Sequence, residues 1–316
     1  MSERSVSHIC PDGYQRMLIT IEYDGHQLVG WQSQENNPSV QGFLEAAAKK
    51  LTTEPTFIYG AGRTDAGVHA TAQAAHLDVP KHLDERAVLM GLNSWLQTKQ
   101  ISVLSARAVA ADFHARFDAR ERGYLYRISE RMIPSAIERH RVWNHRGDLD
   151  TRAMHEAAQI LIGKHDFSSF RATGCQAASP IRTLDELSVT RTDTEIHIRA
   201  RARSFLHHQL RNFAGSLVRV GTGKWTAQDL ARVDDGAPAD ADDQISFSDF
   251  FSSILPYFIF DDPKVMPTVE KQASRNSKKS SGGAFGSTAK FQQRPRSACA
   301  TSSGASRLKK KKNASG

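Results

Sequence analysis

The chain of 316 residues, of which 39% are hydrophobic, is long enough to bury a sizeable core in one large domain or two ordinary ones. Its first residues lack the apolar stretch of a secretory signal, and we find no run of about eighteen apolar residues that could cross a membrane. Its three cysteines are odd in number and lack metal-type spacing, which argues against a disulfide framework and a zinc site. We therefore expect a cytoplasmic protein with reduced thiols and no membrane partner.

The first half of the chain alternates segments of strand and helix character. Residues 17–25 alternate in polarity and predict a strand, and Ser39 is placed to cap a helix over residues 40–51. The further predicted elements of this half are strands at 57–62, 72–80, 101–110 and 123–129 and a helix at 83–96.

The second half repeats this mixture. It contains predicted helices at 151–163 and 204–221 and predicted strands at 183–191 and 195–202. Antiparallel neighbours joined by short turns, with helices between them, indicate an α+β fold with a mostly antiparallel sheet and flanking helices. The two halves are loosely similar, but the similarity is too weak to define a repeat.

The composition changes abruptly near residue 234. Residues 234–263 hold eight Asp and no Lys or Arg, and their second part is rich in phenylalanine without a clean period. Residues 264–316 hold thirteen Lys or Arg and one Glu, so most of the formal net charge of +8 comes from this tail. We expect the tail to be disordered, and a basic tail alone is weak evidence for nucleic acid binding.

The segment "YGAGRTDAGVHA" (59–70) combines three glycines with an arginine and an aspartate. Glycines allow a ligand or another backbone to approach closely. On an extended backbone Arg63 would lie beside Asp65, and the guanidinium would favour the ionised carboxylate, which suits a nucleophile or an electrostatic partner. The residues alone leave open a second interpretation, a glycine-rich turn with a surface ion pair.

Tyr124 and Tyr126 lie two apart on a predicted strand and point to the same face, where either packing or function would suit them. Basic groups interleaved with aromatic ones are what phosphate contacts and base stacking require. The surrounding sequence supplies such groups: Phe113, His114, Arg116, Phe117, Arg120, Arg122 and Arg127. An irregular loop at 166–182 adds Arg171 and Arg182, which are either idle or in contact with a ligand.

In the predicted helix over 204–221, Arg211 follows His207 by four residues and His208 by three, so the three side chains would share one face. A metal site here would want a further ligand, usually a carboxylate at matching spacing, and we therefore disfavour it. The preferred interpretation is an arginine that projects from the helix towards a carboxylate elsewhere.

Five segments occur in an order that resembles the tRNA pseudouridine synthase A (TruA) family. They are "GAGRTDAGVHA", "DFHARF", "YLYR", "DFSSFR" and "FLHHQLRN", and the earlier "IEYDG", "GWQSQ" and "SVQGFLE" are similar to that family's first strand, loop and helix. The resemblance runs from about residue 17 to about residue 233. It implies two similar halves that form a central basic cleft.

The resemblance also implies roles for individual residues. Asp65 would be the essential catalytic residue, Arg63 would hold the target nucleotide out of its stem, Tyr124 would stack on the target base, and Arg211 would pair with the carboxylate. To substrate binding we assign Gly62, His114, Arg116, Arg171 and His207. The implied reaction converts uridine to pseudouridine at positions 38, 39 and 40 of the tRNA anticodon stem-loop, in a homodimer that needs no cofactor.

One departure from the family pattern concerns the end of the chain. The family normally ends with a "GLYL" or "GLYF" element and a strand of the form V-x-Y-P, and residues 234–263 replace both. This ending is either a real extension or the product of an out-of-frame reading. We divide the chain into a catalytic half (17–110), a second half (111–233), a divergent segment (234–263) and the basic tail (264–316).

Three functions remain after this comparison. A tRNA pseudouridine synthase is favoured by the four residues assigned to catalysis. A non-catalytic RNA-binding protein or tRNA chaperone of the same fold is favoured by the altered ending. A carboxylate glycosidase would want a second catalytic carboxylate, and none stands out.

Overall fold

The computed structural model describes residues 9–172, 175, 177–234 and, for the backbone only, 258–260. The basic tail and most of the acidic and aromatic segment lie outside the described residues, so the expectations for them stay predictions. Within the described residues, no helix has the length and apolar character needed to cross a membrane.

Each predicted helix and strand has a counterpart in the structure, although boundaries shift and the helix predicted over 151–163 ends at Ala158. The elements at 143–144, 163–166, 227–234 and 258–260 were not predicted. The strands are β1 (Tyr14–Tyr23), β2 (Tyr59–Gly60), β3 (His69–Pro80), β4 (Ile101–Val109), β5 (Arg122–Ser129), β6 (Trp143–Asn144), β7 (Gly163–Asp166), β8 (Ile181–Thr192), β9 (Glu195–Ala202) and β10 (Phe258–Phe260). The α-helices are α1 (Val40–Thr52), α2 (Glu85–Leu96), α3 (Thr151–Ala158), α4 (Gln209–Gly221) and α5 (Ala227–Asp234).

The described strands belong to one sheet in the order β4-β1-β3-β10-β5-β9-β8-β7, with β2 attached to β3 and β6 attached to β5. Most pairs are antiparallel, and the parallel pairs are β10 with β3 and β5 with β6. This arrangement confirms the predicted α+β class with a mostly antiparallel sheet.

Each end of the sheet has its own hydrophobic core. At one end, α1 and α2 bury Leu44 and Leu92 against the strands β1, β3 and β4. At the other end, α3 and α4 bury Met154 and Phe213 against β5, β8 and β9. The division of the chain into two halves at residue 110 stays a prediction.

The strand β10 comes from the divergent segment, for which the sequence gives no clear expectation. It lies between β3 and β5, with Ile259 in register with His69 of β3 and Leu125 of β5. Phe260 is in register with Tyr124. The strand that follows the Asp65 loop is therefore joined to the strand that carries Tyr124 through three residues of the divergent segment.

The last long helix begins later than its periodicity predicts. His208 has a left-handed backbone with φ of 61°, and α4 begins only at Gln209. The Gln209 Oε1 atom accepts a hydrogen bond of 2.8 Å from the Leu206 backbone N–H, which holds residues 206–208 in a turn. The expectation that His207 and His208 share a helical face with Arg211 is therefore wrong, because both histidines lie before the helix.

Candidate active site

Asp65 lies in the loop between β2 and β3, and hydrogen bonds hold this loop against the segment after β1. The Trp31 N–H donates to the Thr64 carbonyl at 3.0 Å, and the Gly67 N–H donates to the Leu28 carbonyl at 3.1 Å. The Tyr23 hydroxyl lies 2.8 Å from the Thr64 hydroxyl in a buried contact. The backbone on both sides of Asp65 is thus fixed before any substrate binds.

Two glycines outside the motif let these segments come together. A Cβ atom on Gly30, which has φ of 103°, would lie 2.5 Å from the Thr64 carbonyl oxygen. A Cβ atom on Gly25 would lie 2.0 Å from the Val68 carbonyl oxygen. Sequence analysis assigned neither glycine to the site, because each allows a close approach to a segment more than thirty residues away in the chain.

The Asp65 carboxylate contacts two histidines that precede α4. The Nε2 atom of His207 lies 3.4 Å from Oδ1, and the Nε2 atom of His208 lies 3.6 Å from Oδ2. The two imidazole rings are neighbours, with centroids 3.9 Å apart. Sequence analysis placed His207 at the site and omitted His208, so the structure adds one group to the carboxylate's surroundings.

These groups keep the carboxylate ionised. Burial alone would raise the pKa of Asp65, but the hydrogen bond from His207 and the charges of His208, His207 and Arg211 outweigh it and lower that pKa. The same contact raises the pKa of His207, whereas burial lowers the pKa of His208. At neutral pH the site therefore presents a negative charge on Asp65.

Arg211, in the first turn of α4, influences Asp65 through its charge. Burial lowers the pKa of this guanidinium, and the charge of Asp65 acts in the opposite direction. Its Nε atom is buried without a hydrogen-bond partner among the described residues. Among the described residues, the ion pairs of Asp65 are those with His207 and His208. The pairing of Arg211 with the carboxylate therefore stays a prediction.

Tyr124 lies on β5 close enough to Asp65 for the two to interact electrostatically. Burial, with a further contribution from the Asp65 charge, raises the pKa of Tyr124 to about 12, so its phenol is neutral at physiological pH. Its ring packs edge-on against Phe205, with centroids 5.1 Å apart. Tyr126, two residues on, is fully buried in the core, so only Tyr124 retains an exposed part.

Arg122 connects three backbone segments around this loop. Its Nε atom donates to the Ala61 carbonyl at 3.0 Å and its Nη2 atom donates to the Arg116 carbonyl at 3.0 Å, with a further bond to the Arg203 carbonyl. The residue is 9% exposed. The expectation that Arg122 contacts phosphate is therefore wrong, because its donors are used inside the protein.

Arg127 is also used internally. It forms ion pairs of 2.7 Å with Glu138 and with Glu195. Sequence analysis grouped this guanidinium with residues suited to phosphate contacts. Arg122 and Arg127 both lie on β5 and bond inside the protein, so two of the five basic residues in this region serve the fold rather than an exposed surface.

The residues assigned to substrate binding differ in exposure. Gly62 is partly buried, and its carbonyl accepts a 2.7 Å hydrogen bond from Gln73. His114 is buried, and its ring contacts His76 with centroids 4.7 Å apart. Arg116 is exposed beside the exposed ring of Phe117.

Arg63 and Arg171 are exposed as well. Arg171 precedes Ala172, whose N–H donates to the His207 carbonyl at 3.0 Å, so the loop with Arg171 lies against the histidine pair. The structure therefore brings together Asp65, His207 and Arg211, with Tyr124 close by. The roles of all these residues in binding or catalysis stay predictions.

Comparison with known proteins identifies the family. A family model described as tRNA pseudouridine synthase matches residues 19–118 and 157–241. The chain is 54% identical over 219 residues to the tRNA pseudouridine synthase A of Rhodospirillum centenum, covering 69% of this chain and 89% of that protein. The chain belongs to the tRNA pseudouridine synthase A (TruA) family.

Further TruA proteins match at similar levels. The chain is 52% identical to the one from Rhodospirillum rubrum, covering 68% of this chain and 77% of that protein. It is 51% identical to the one from Maricaulis maris, covering 70% of this chain and 89% of that protein. The expectation drawn from the motifs of this chain, that it resembles the TruA family, is confirmed.

Proposed function

We propose that this chain isomerises uridine to pseudouridine in tRNA, and that its targets are positions 38, 39 and 40 of the anticodon stem-loop. The observation that carries the proposal is the ionised Asp65 carboxylate, held by the two histidines next to Tyr124, in a member of the TruA family. Identity above 50% to several proteins named tRNA pseudouridine synthase A supports the same reaction.

The chemistry needs one well-placed carboxylate and no redox step. The bond from N1 of uracil to C1′ breaks, the base turns, and a bond from C5 to C1′ forms, after which the C5 proton leaves and N1 is protonated. An ionised carboxylate assists by attacking the base or sugar, or by accepting a sugar proton, which divides one difficult step into easier ones. The lowered pKa of Asp65 supports this role, because the carboxylate is ionised across the physiological range.

The target base has to leave its stem before it reaches Asp65, which costs a few kcal/mol. We propose that stacking on Tyr124 recovers part of this cost and that Arg63 takes the space the base vacates. Tyr124 is half-buried and Arg63 is exposed, which supports these roles. A neutral phenol, which the raised pKa of Tyr124 ensures, stacks without charge repulsion from the carboxylate.

Exposed basic side chains are suited to bind the tRNA backbone. Arg116 and Arg171 are exposed, Arg116 lies beside the exposed Phe117, and Arg171 lies in the loop bonded to His207. Guanidinium groups bind phosphates with paired hydrogen bonds. We assign the two arginines to the phosphates that flank the target nucleotide, and we propose that the protein acts in the cytoplasm as a homodimer without a cofactor.

The test is a tritium-release assay with anticodon stem-loop RNAs that carry 5-³H-uridine at position 38, 39 or 40. Pseudouridine formation replaces the C5 hydrogen, so we expect tritium release from each RNA and none from an RNA with the labelled uridine elsewhere in the stem. RNA binding without tritium release from any of the three positions would contradict the proposal and favour the non-catalytic RNA-binding alternative.

A further inference from the structure

We propose that Asp65, His207 and His208 form a binding site for Zn²⁺. The three side chains are a carboxylate and two imidazoles, which are ligands that zinc prefers in proteins. Where the proposed isomerisation holds, occupation of this site would inhibit it, and that consequence rests on the proposed function. The binding itself does not.

The spacing of the ligand atoms suits a tetrahedral ion. One oxygen or nitrogen atom from each of the three groups lies within 4.8 Å of the others. Zinc bonds of about 2.1 Å at tetrahedral angles separate neighbouring ligand atoms by about 3.4 Å. Each imidazole already lies at about this separation from one oxygen of the carboxylate, His207 at 3.4 Å from Oδ1 and His208 at 3.6 Å from Oδ2.

The backbone holds all three ligands in place. The Ala172 N–H donates to the His207 carbonyl at 3.0 Å, and the Asn212 N–H donates to the His208 carbonyl at 3.1 Å. The loop of Asp65 is bonded to residues 28 and 31. The backbone of these segments is therefore already fixed when the ion binds. Binding then has to restrict only the rotations of the three side chains.

The structure supplies what the sequence lacked. Sequence analysis disfavoured a metal at the histidine pair because no carboxylate stands at matching spacing along the chain. Asp65 precedes His207 by more than a hundred positions, and the fold brings its carboxylate to both imidazoles. Three protein ligands leave one position for water, which is the composition of an open zinc site.

One nearby charge opposes binding. Arg211 acts electrostatically on Asp65 and on both histidines, so its positive charge also repels a divalent cation. The site is therefore expected to bind zinc less tightly than a closed structural site. Zinc on Asp65 would neutralise the carboxylate and occupy its lone pairs, so the nucleotide could not use them.

The experiment titrates the untagged full-length protein with Co²⁺ and follows the visible absorption of tetrahedral cobalt, then displaces the cobalt with Zn²⁺. Asp65→Asn, His207→Gln and His208→Gln remove one ligand each, and the exposed His82 provides the matched control His82→Gln. Loss of a group that only supports a ligand costs about 10–100-fold in metal affinity, so we expect each ligand variant to lose at least tenfold. His82→Gln should bind like the wild type.

The same proteins are assayed for tritium release with and without Zn²⁺, after circular dichroism has confirmed that each variant is folded. We expect zinc to inhibit the wild type and His82→Gln at the concentration that displaces cobalt. A chelator should reverse this inhibition. If the wild type releases tritium but gives no cobalt spectrum, the zinc site is overturned and the isomerase activity is retained. The same conclusion follows if the wild type releases tritium and His208→Gln binds cobalt as tightly as the wild type. A ligand-dependent cobalt spectrum without turnover would retain the zinc site and contradict the proposed function.

Discussion

The Nε2 atom of His207 lies 3.4 Å from Oδ1 of Asp65, and this contact connects the start of one helix with a loop more than a hundred residues earlier in the chain. It is the first of the interactions that lower the pKa of Asp65 against the effect of burial. It also raises the pKa of His207. The ionisation of the candidate nucleophile is therefore controlled by a residue from the other half of the chain.

A change at His207 should move the pH dependence of the reaction. The lowered pKa of Asp65 keeps the carboxylate ionised, so activity should fall only in acid, as pH drops through that pKa. His207→Gln removes the largest interaction that lowers it, so the pKa should rise and the acidic limb of the single-turnover rate should move to higher pH. An acidic limb at the wild-type position would contradict this assignment, and His82→Gln serves as the control.

A change at Arg122 should affect the position of the Asp65 loop. Arg122→Lys keeps the charge but cannot reproduce the bonds to the carbonyls of Ala61, Arg116 and Arg203. Loss of charged hydrogen bonds at a buried site costs about 2–4 kcal/mol, so thermal unfolding should shift down and turnover should fall. The exposed Arg120 offers the matched control Arg120→Lys, which should change neither measurement.

Two glycines with nearly equal φ angles separate backbone strain from steric contact. Gly30 has φ of 103° and Gly147 has φ of 105°, but only a Cβ atom on Gly30 meets the backbone of Thr64 and Asp65. Alanine at Gly147 should cost about 1 kcal/mol of stability because its φ disfavours a side chain, and alanine at Gly30 should cost more because its Cβ atom would also meet the backbone. Gly30→Ala should lower the turnover rate in addition, because the Asp65 loop has to move. Equal turnover in the two variants would contradict the proposed contact.

The strand β10 gives a prediction about the end of the chain. A protein that stops after residue 263 keeps the pairing of residues 258–260 with β3 and β5, whereas one that stops after residue 257 leaves both strands with an open edge. The shorter protein should melt at a temperature lower by about 5 °C. Equal melting temperatures would show that β10 does not support the sheet.

The basic tail should contribute to RNA binding without affecting the choice of uridine. Residues 264–316 carry thirteen Lys or Arg, so their deletion should weaken tRNA binding and reduce its dependence on salt. The comparison uses the protein that stops after residue 263, and tRNA affinity is measured across a salt series. Equal affinities at all salt concentrations would exclude a binding role for the tail.

Local patterns predicted most elements and failed where distant contacts decide the structure. Ser39 caps α1 as its position before an apolar period of three and four residues predicts. The same period extends through 204–208, but the bond from Leu206 to Gln209 and the left-handed His208 exclude those residues from α4. Periodicity reports only which residues suit a helix, so it cannot register a competing side-chain hydrogen bond.

The sequence also predicted part of the candidate site and missed the part that depends on distant contacts. The motif around Asp65 marks the carboxylate, because three glycines and an arginine beside it are unusual in a short segment. The sequence does not reveal that His207 and His208 contact that carboxylate, since neither spacing nor charge pattern relates residues in different halves of the chain. Nor does it distinguish the buried Arg122 from the exposed Arg116, because both stand in one run of basic and aromatic residues that leads into β5.

The role of Tyr124 should depend on its ring rather than its hydroxyl. Tyr124→Phe keeps the surface on which a base can stack, whereas Tyr124→Ala removes it, and stacking on an aromatic side chain contributes about 1–3 kcal/mol per base. Tyr124→Ala should therefore weaken single-turnover catalysis more than Tyr124→Phe does. A larger loss in the phenylalanine variant would assign the essential function to the hydroxyl.

The most direct test of the account is single-turnover tritium release by Asp65→Asn, measured together with its affinity for the anticodon stem-loop. Asparagine has nearly the same shape as aspartate but carries no charge and is a far poorer nucleophile. We predict that Asp65→Asn binds the RNA with nearly wild-type affinity and releases no tritium from uridine 38, 39 or 40. Wild-type rates of tritium release by Asp65→Asn would contradict the assignment of Asp65 as the essential catalytic residue.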